Sequence, residues 1–303
     1  MELIYTTYPF NDLKINDSLI LTIGEFDGLH LGHLEIFNKV MKLKEKLNCP
    51  SAIISFDSHP DLLLNKVKQV SYLTPQKRKE ELLEKLGFDY FIIIKFDDTL
   101  SKVDHEIFAS QLSSALSISH IVAGPDFRYG YRGLGNVNTL VADFKTEVTV
   151  CKEYLYNNHK LGTVFLKDLM SKGQINEVNS LSFVNYTIEG IVVEGNKIGR
   201  TYNYPTANIK LSDNYCIPRL GVYEVYAIYD GQKYHGICNI GHNPTFNYQQ
   251  DVSIEVHLFN FSGNLYNQKL TLEFIKFIRP ETKFSSKDSF IEQLKKDIES
   301  INE

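Results

Sequence analysis

The sequence predicts an α/β domain built on a parallel sheet, followed by a β-rich domain that closes as an antiparallel barrel or sandwich. Three observations predict it. Apolar runs and helical patterns alternate through the first half of the chain. Near residue 183 the pattern switches to short β-rich runs separated by Gly, Asn and Pro clusters. The chain's 303 residues also exceed one average domain.

Each element has its own signal. SLILTIG (18–24) is an apolar run of strand length, and it reads as buried. From Leu31 to Leu47, Leu34, Phe37, Val40, Met41 and Leu43 recur at helical spacing. SAIISF (51–56) is a second strand. TPQKRKEELLEKLG (74–87) carries both end signals of a helix, with Thr as N-cap, Pro at the first helical position and a closing Gly. YFIIIKF (90–96) is a third strand, 104–116 a helix and HIVAG (120–124) a fourth strand. In the second half, YTIEGIVVEG, GVYEVYAIYD, KYHGICNIG, VSIEVHLFNF and KLTLEFIKFI are β-rich. SSKDSFIEQLKKDIES reads as a capped amphipathic helix at the end. The domain boundary is expected near 181–185, giving domains 1–182 and 183–303.

Composition narrows the function classes. With 43% hydrophobic and 23% charged residues, the chain can bury a real core. A net charge of −5 with no Lys/Arg block argues against an extended nucleic-acid surface. Cys49, Cys151, Cys216 and Cys238 are isolated, so neither a disulfide framework nor a cysteine zinc site is expected. No apolar run reaches membrane-spanning length and no basic-then-apolar leader is present, so a cytoplasmic location without a membrane partner is expected.

The chemistry-bearing stretches follow strands. GEFDGLHLGH (24–33) ends the first apolar strand and opens the first helix. Ligands of open parallel sheets lie at such carboxyl ends. Gly28 and Gly32 allow close backbone approach, and His30 and His33 stand where a helix N-terminus favours anions. Three readings are open for the pair: a phosphate site, a metal site without nearby further ligands, or a plain turn. His59 in SFDSHP follows the second strand and would reach the same sheet edge. GPDFRYGYRGLGN (124–136) follows the fourth strand, and its Asp, Args and aromatics suit a base with an anionic tail. In GRTYNYPTAN (199–208), Thr206 and Asn208 put two hard oxygen donors two residues apart, which suits Mg²⁺ and a phosphate; a plain strand entry is the alternative. Alternation puts Glu255 on the face opposite Ile254 and Val256, either as a proton acceptor or as a solvated strand residue.

Taken in order, these stretches resemble the prokaryotic bifunctional riboflavin kinase/FMN adenylyltransferase (FAD synthetase) family. GEFDGLHLGH is similar to its GxFDGxHxGH, SFDSHP to TFxPHP, GPDFRYGYRGLGN to GxDFRFGxxxxGD and GRTYNYPTAN to GRxxGxPTAN. IPRLGVYEV, NIGHNPTF, EVHLFNF, LYNQKLTLEF and IRPETKFSSKDSFIEQLKKDI follow as the kinase module's remainder does. The resemblance implies a Rossmann-like nucleotidyltransferase domain and a six-stranded antiparallel barrel with a C-terminal helix. It implies phosphorylation of riboflavin to FMN in the barrel and joining of FMN to AMP from ATP in the first domain, with pyrophosphate released. By matching position, Gly24, Phe26, Asp27, His30, His33, Gly199, Arg200, Thr206 and Asn208 would serve ATP. Thr206 and Asn208 would hold Mg²⁺, and Glu255 would be the general base. His59, Asp126, Phe127, Arg128, Tyr129 and Arg279 would serve the flavin, with His59 also near the phosphates. The implied partners are thus ATP, riboflavin, FMN and FAD.

Some positions depart from the family pattern. Where an ISSTxIR motif is usual, residues 161–170 read LGTVFLKDLM, with the serine pair gone and Lys167 keeping the final positive charge. Lost donors at a phosphate site cost ~1–3 kcal/mol each, which would slow adenylylation. Asn203 replaces a Gly, Asn243 an Arg and Asn267 a Gly. A kinase with an impaired adenylyltransferase domain, or a flavin-binding regulator, are the alternative expectations.

Overall fold

The computed structural model describes residues 1–63, 67–195, 204–242, 252–282, 284 and 286–302. Its described residues form two compact units, Met1–Thr163 and Val164–Glu303.

The first unit runs β1 (Glu2–Thr6), β2 (Ile15–Ile23), α1 (Leu31–Leu47), β3 (Ser51–Phe56), α2 (Pro60–Leu63), α3 (Gln76–Lys85), β4 (Tyr90–Ile94), α4 (His105–Ala115), β5 (Leu116–Ala123), β6 (Arg128–Tyr129), β7 (Gly135–Asn136), α5 (Leu140–Phe144), β8 (Glu147–Val150), β9 (Leu155–Tyr156) and β10 (His159–Lys160). Six strands form one sheet in the order β1-β4-β3-β2-β5-β8. All five pairings are parallel. Leu19, Leu21, Ala52, Ile54, Ile92 and Ile121 share its core, which is why these strands read as unbroken apolar runs. The strand order reverses between β2 and β5. The loops after those two strands, GEFDGLH and GPDFR, therefore flank the switch point where open α/β sheets bind ligands.

The edge strands β1 and β8 carried no sequence signal strong enough to predict them. Their burial patterns are mixed, without the fully apolar runs of the central strands. Helix α3 also starts later than its signals imply. Pro75 occupies the cap position and Thr74 is not the cap. The Thr74 backbone N–H instead donates to Asp27 Oδ1 at 2.8 Å.

The second unit begins with α6 (Thr163–Lys172, most of its length) and α7 (Ile175–Ser180). Both are tied to the barrel that follows. The Arg219 N–H donates to the Met170 carbonyl, and Asn179 Nδ2 donates to the Phe274 carbonyl at 2.8 Å. The barrel strands are β11 (Thr187–Val193), β12 (Ala207–Leu211), β13 (Gly221–Tyr229), β14 (Gln232–His242), β15 (Val252–Leu258) and β16 (Lys269–Arg279). They close in the order β11-β12-β15-β14-β13-β16, every pair antiparallel. Five strands coincide with the β-rich runs. The sixth, β12, grows out of the Pro-Thr-Ala-Asn stretch. Inward residues such as Val225, Cys238, Val256 and Leu272 are fully buried. Asn267, standing where the family pattern has Gly, takes a φ of 61°, a left-handed conformation that Asn tolerates best after Gly.

The C-terminal α8 (Lys287–Asn302) is capped by Ser286, whose Oγ accepts from the Ser289 N–H at 3.2 Å. Among the described residues no helix is long and apolar enough to cross a membrane.

Candidate active sites in the two units

The turn from β2 to α1 is held from several sides. Phe26, Gly28 and Leu29 have φ values of 50°, 83° and 38°, so the chain reverses through three left-handed residues. A Cβ on Gly24 would meet the Phe26 ring at 2.9 Å, and the bare glycine lets that ring fold back. Asp27 is buried, with its carboxylate on the Thr74 N–H and its carbonyl accepting from Thr163 Oγ1 at 2.9 Å. Beneath the turn lies Lys79 of α3, only 2% exposed. Its ammonium donates to the Glu25 carbonyl and sits 3.6 Å from the Glu25 carboxylate.

This frame presents His30 and His33 at the N-terminus of α1. The His30 Nδ1 accepts from the His33 N–H at 3.3 Å and caps the helix. The two rings stack at 3.6 Å between centroids. Phe26 packs edge-on against His33 at 5.1 Å. His33 Nδ1 is shut from solvent and has no hydrogen-bond partner among the described residues. A Cβ on Gly32 would press on the His30 ring at 3.1 Å, so this glycine is needed for the close stack.

Both histidines line one open cleft of about 580 Å³. Across it lie Gly124, Pro125 and Asp126 from the loop after β5, and Lys160 and Thr163. The two switch-point loops therefore share a single site. Burial pushes His30 down to about 4, against the pull of Asp126. His33 falls well below the ordinary imidazole value through burial, with His30 and Lys79 adding to the effect. Both rings are neutral at pH 7. In the unfolded chain they bind protons below about 6.5.

A pH dependence follows from these shifts. Between pH 6.5 and 4 the unfolded state binds more protons than the folded one, so stability falls on acidification. His30 alone contributes up to about 3 kcal/mol of that loss. Opening free energies of β2 and β5 amides, measured by hydrogen exchange across this range, are expected to drop. The drop should be smaller in His30→Gln; an equal drop in both would disprove the assignment.

The other predicted residues of this unit are distributed unevenly. Gly24, Phe26 and Asp27 support the turn from behind and do not line the cleft. His59 follows β3, next to β2 in the sheet, and its carbonyl accepts from the Leu62 N–H; it is not part of the cleft wall. Asp126 and Arg128 are exposed, and Phe127 is half-buried. Tyr129 is a core residue whose hydroxyl donates to Asp143 and lies 2.8 Å from Thr139 Oγ1. Its ring stacks under Phe127 at 5.5 Å, and Asp143 is fixed in turn by His105 at 2.6 Å. Tyr129 thereby carries Phe127.

In the barrel, the alternation read from SIEVHL holds. Ile254, Val256 and Leu258 point inward and Glu255 does not. Asn208 of β12 and Asn239 of β14 stand opposite Glu255 on its two neighbouring strands. Paired residues project to the same face, so Glu255 lies between two amides on the outside of the barrel. Thr206 Oγ1 donates to Glu255 Oε2 at 3.3 Å. His257 Nδ1 lies 2.8 Å from the Pro205 carbonyl and pins the chain just before Thr206. A Cβ on Gly195 would meet the Asn208 amide at 2.1 Å, so this glycine gives Asn208 its place. The Thr206 hydroxyl and the Asn208 amide oxygen are hard-oxygen donors, which fit a divalent cation that keeps waters and phosphate ligands, and the Glu255 carboxylate stands beside them. Beside Thr206 a second cleft of about 550 Å³ is walled by Val192, Ala207, Leu258, Phe261 and Tyr266. Arg279 is engaged elsewhere, in a two-pronged ion pair with the buried Asp297 of α8. Gly199, Arg200, Asn203 and Asn243 lie outside the described residues.

The two units match two family profiles. One described as FAD synthetase covers residues 12–163, and one described as riboflavin kinase covers residues 183–303. The bifunctional riboflavin kinase/FMN adenylyltransferase of Listeria monocytogenes serovar 1/2a is 35% identical over 301 residues, 98% of this chain and 96% of that one. The chain belongs to the bifunctional riboflavin kinase/FMN adenylyltransferase family. Its Bacillus subtilis relative is 33% identical, covering 98% of this chain and 96% of its own. A crystal structure described as a macrolide-efflux protein from Streptococcus pneumoniae has this family member's fold over 98% of both chains, with a TM-score of 0.91 and 27% identity.

Sequence reasoning missed several side chains at these sites. Lys79 reads as one more charge on a solvated helix face. Asn239 and Lys160 stand in strands without a local signal for chemistry. Only the fold brings them to the two sites.

Proposed function

We propose that the chain makes FMN from riboflavin and ATP in its barrel unit, then joins FMN to the adenylyl group of another ATP in its parallel-sheet unit, giving FAD and pyrophosphate. The work divides between residues 1–182 and 183–303. One observation carries the reading: each unit holds its own constellation, the stacked histidines at the sheet's switch point and the Thr206–Glu255 contact on the barrel.

In the barrel, Glu255 takes the proton of the ribityl 5′-hydroxyl as that oxygen attacks the γ-phosphorus and ADP leaves. Thr206 and Asn208 would hold Mg²⁺, which when bound neutralises charge on the ATP phosphates. In the parallel-sheet unit, a phosphate oxygen of FMN attacks the α-phosphorus, and the bond to the bridging oxygen of pyrophosphate breaks. His30 and His33 donate hydrogen bonds to the phosphates as charge shifts onto pyrophosphate. Asp126, Phe127 and Arg128, with Tyr129 beneath them, offer the flavin a flat and partly charged surface, with His59 at the neighbouring strand end. We keep Arg279 as a proposed residue of the flavin side of the barrel, where its ion pair with Asp297 of α8 would hold it in place. We place the protein in the cytoplasm, where ATP is at hand and its four free cysteines stay reduced.

The test is to incubate the protein with Mg-ATP and riboflavin, and separately with Mg-ATP and FMN, and to separate the flavins by chromatography. FMN and FAD are expected in the first tube and FAD in the second. FMN without FAD would overturn the adenylyl-transfer half. No conversion in either tube would overturn both halves.

A further inference from the structure

The phosphate end of the histidine cleft is short of its expected partners. Thr163, which remains of the family's serine-rich stretch, turns its hydroxyl to the Asp27 carbonyl. With His30 and His33 neutral, the positive charge on the cleft wall comes from Lys152 and Lys160. Asp126 and Glu153 line the same wall, so among the described residues two cations meet two carboxylates and the wall is close to neutral. A triphosphate needs an excess of positive charge.

Lys160 is built to supply it. It sits on β10, the second strand of a two-stranded ribbon with β9. The connecting residues Asn157 and Asn158 have φ values of 49° and 63°, the paired left-handed turn that matches strand twist and makes a tight hairpin. The hairpin delivers the Lys160 ammonium to 2.8 Å from Asp126 Oδ2 and 3.4 Å from Glu153 Oε1. All three side chains are about half exposed or more, so these pairs are weakly held and exchangeable. Burial pushes Asp126 up, but the Lys160 hydrogen bond and charge, with His30, hold it below the usual carboxylate value. Asp126 is thus a charged partner that an arriving phosphate can replace.

We propose that Lys160 is a phosphate-binding residue of the cleft, held by Asp126 and Glu153 until the phosphates of a nucleotide take their place. This rests on the adenylyl-transfer reading and deepens it: the hydroxyl donors lost from the usual motif are compensated by a cation on the β9–β10 hairpin.

The test titrates the full chain with magnesium pyrophosphate, the product of the proposed reaction, by calorimetry. Lys160→Met is expected to weaken binding about tenfold, and Lys160→Arg to stay within about threefold of wild type. Glu153→Gln, which removes a competing carboxylate, is expected to tighten it about threefold. Riboflavin phosphorylation should be unchanged in all three, reporting that they fold. Unchanged affinity in Lys160→Met, weaker binding in Glu153→Gln, or no binding by wild type each overturns the proposal. Lys160-dependent binding in a protein that makes no FAD would leave this site standing and remove the adenylyl-transfer reading. FAD synthesis with Lys160-independent binding would do the reverse.

Discussion

Replacing Glu255 by glutamine is expected to cut FMN formation at least about a hundredfold while leaving conversion of added FMN to FAD intact. Glutamine keeps the shape and the contact with Thr206 but cannot accept a proton. Its neighbours Asn208 and Asn239 are neutral amides and offer no substitute base. The Glu255 side chain is outside the packed interior, so the barrel core formed by Ile254 and Val256 is untouched. Flavin chromatography with riboflavin and with FMN as separate substrates reads both steps. A parallel fall of both rates in a folded variant would show that the two chemistries do not reside in separate units.

His33→Ala is expected to have the complementary outcome, with FAD formation lowered about 10²–10³-fold and FMN formation normal. His33 lies against His30, Phe26 and Phe37, and this packing fixes its ring within the cleft wall. A donor held in place before the substrate arrives needs no reorganisation during the reaction. Alanine also leaves a void beside Phe26, so His30→Gln serves as the second variant and should lower the same step. FAD formation within about threefold of wild type in both variants would remove the histidines from the chemistry.

Much of this organisation was legible in the residues. The runs ending at Ile23, Phe56, Ile94 and Ala123 are apolar because parallel strands are covered on both faces. Their downstream loops then had to share one edge of the sheet. Glu255 was readable because a half-buried strand alternates. What could not be read was anything that depends on partners distant in sequence. Lys79 meets Glu25 across 54 positions, and Thr163 meets Asp27 across 136. Thr74 looked like a helix cap because capping statistics are local, and the pull of Asp27 on its backbone is not. Strands β1 and β8 stayed silent because sheet edges tolerate mixed polarity. The assignment of chemistry came from motif order; patterning alone left the histidine pair open between several readings.

Gly162 gives the lost serines a different meaning. It lines the histidine cleft, and a Cβ built on it meets no atom of the described residues within 4 Å apart from its chain neighbours. Its φ lies outside the left-handed range, so the backbone there accepts any ordinary side chain. The departure from the family pattern has therefore removed a side chain without closing the space around it. Among the described residues no side chain fills the space beside it. The wall thus keeps room for a donor: Gly162→Ser would put a hydroxyl into the cleft without displacing a described neighbour.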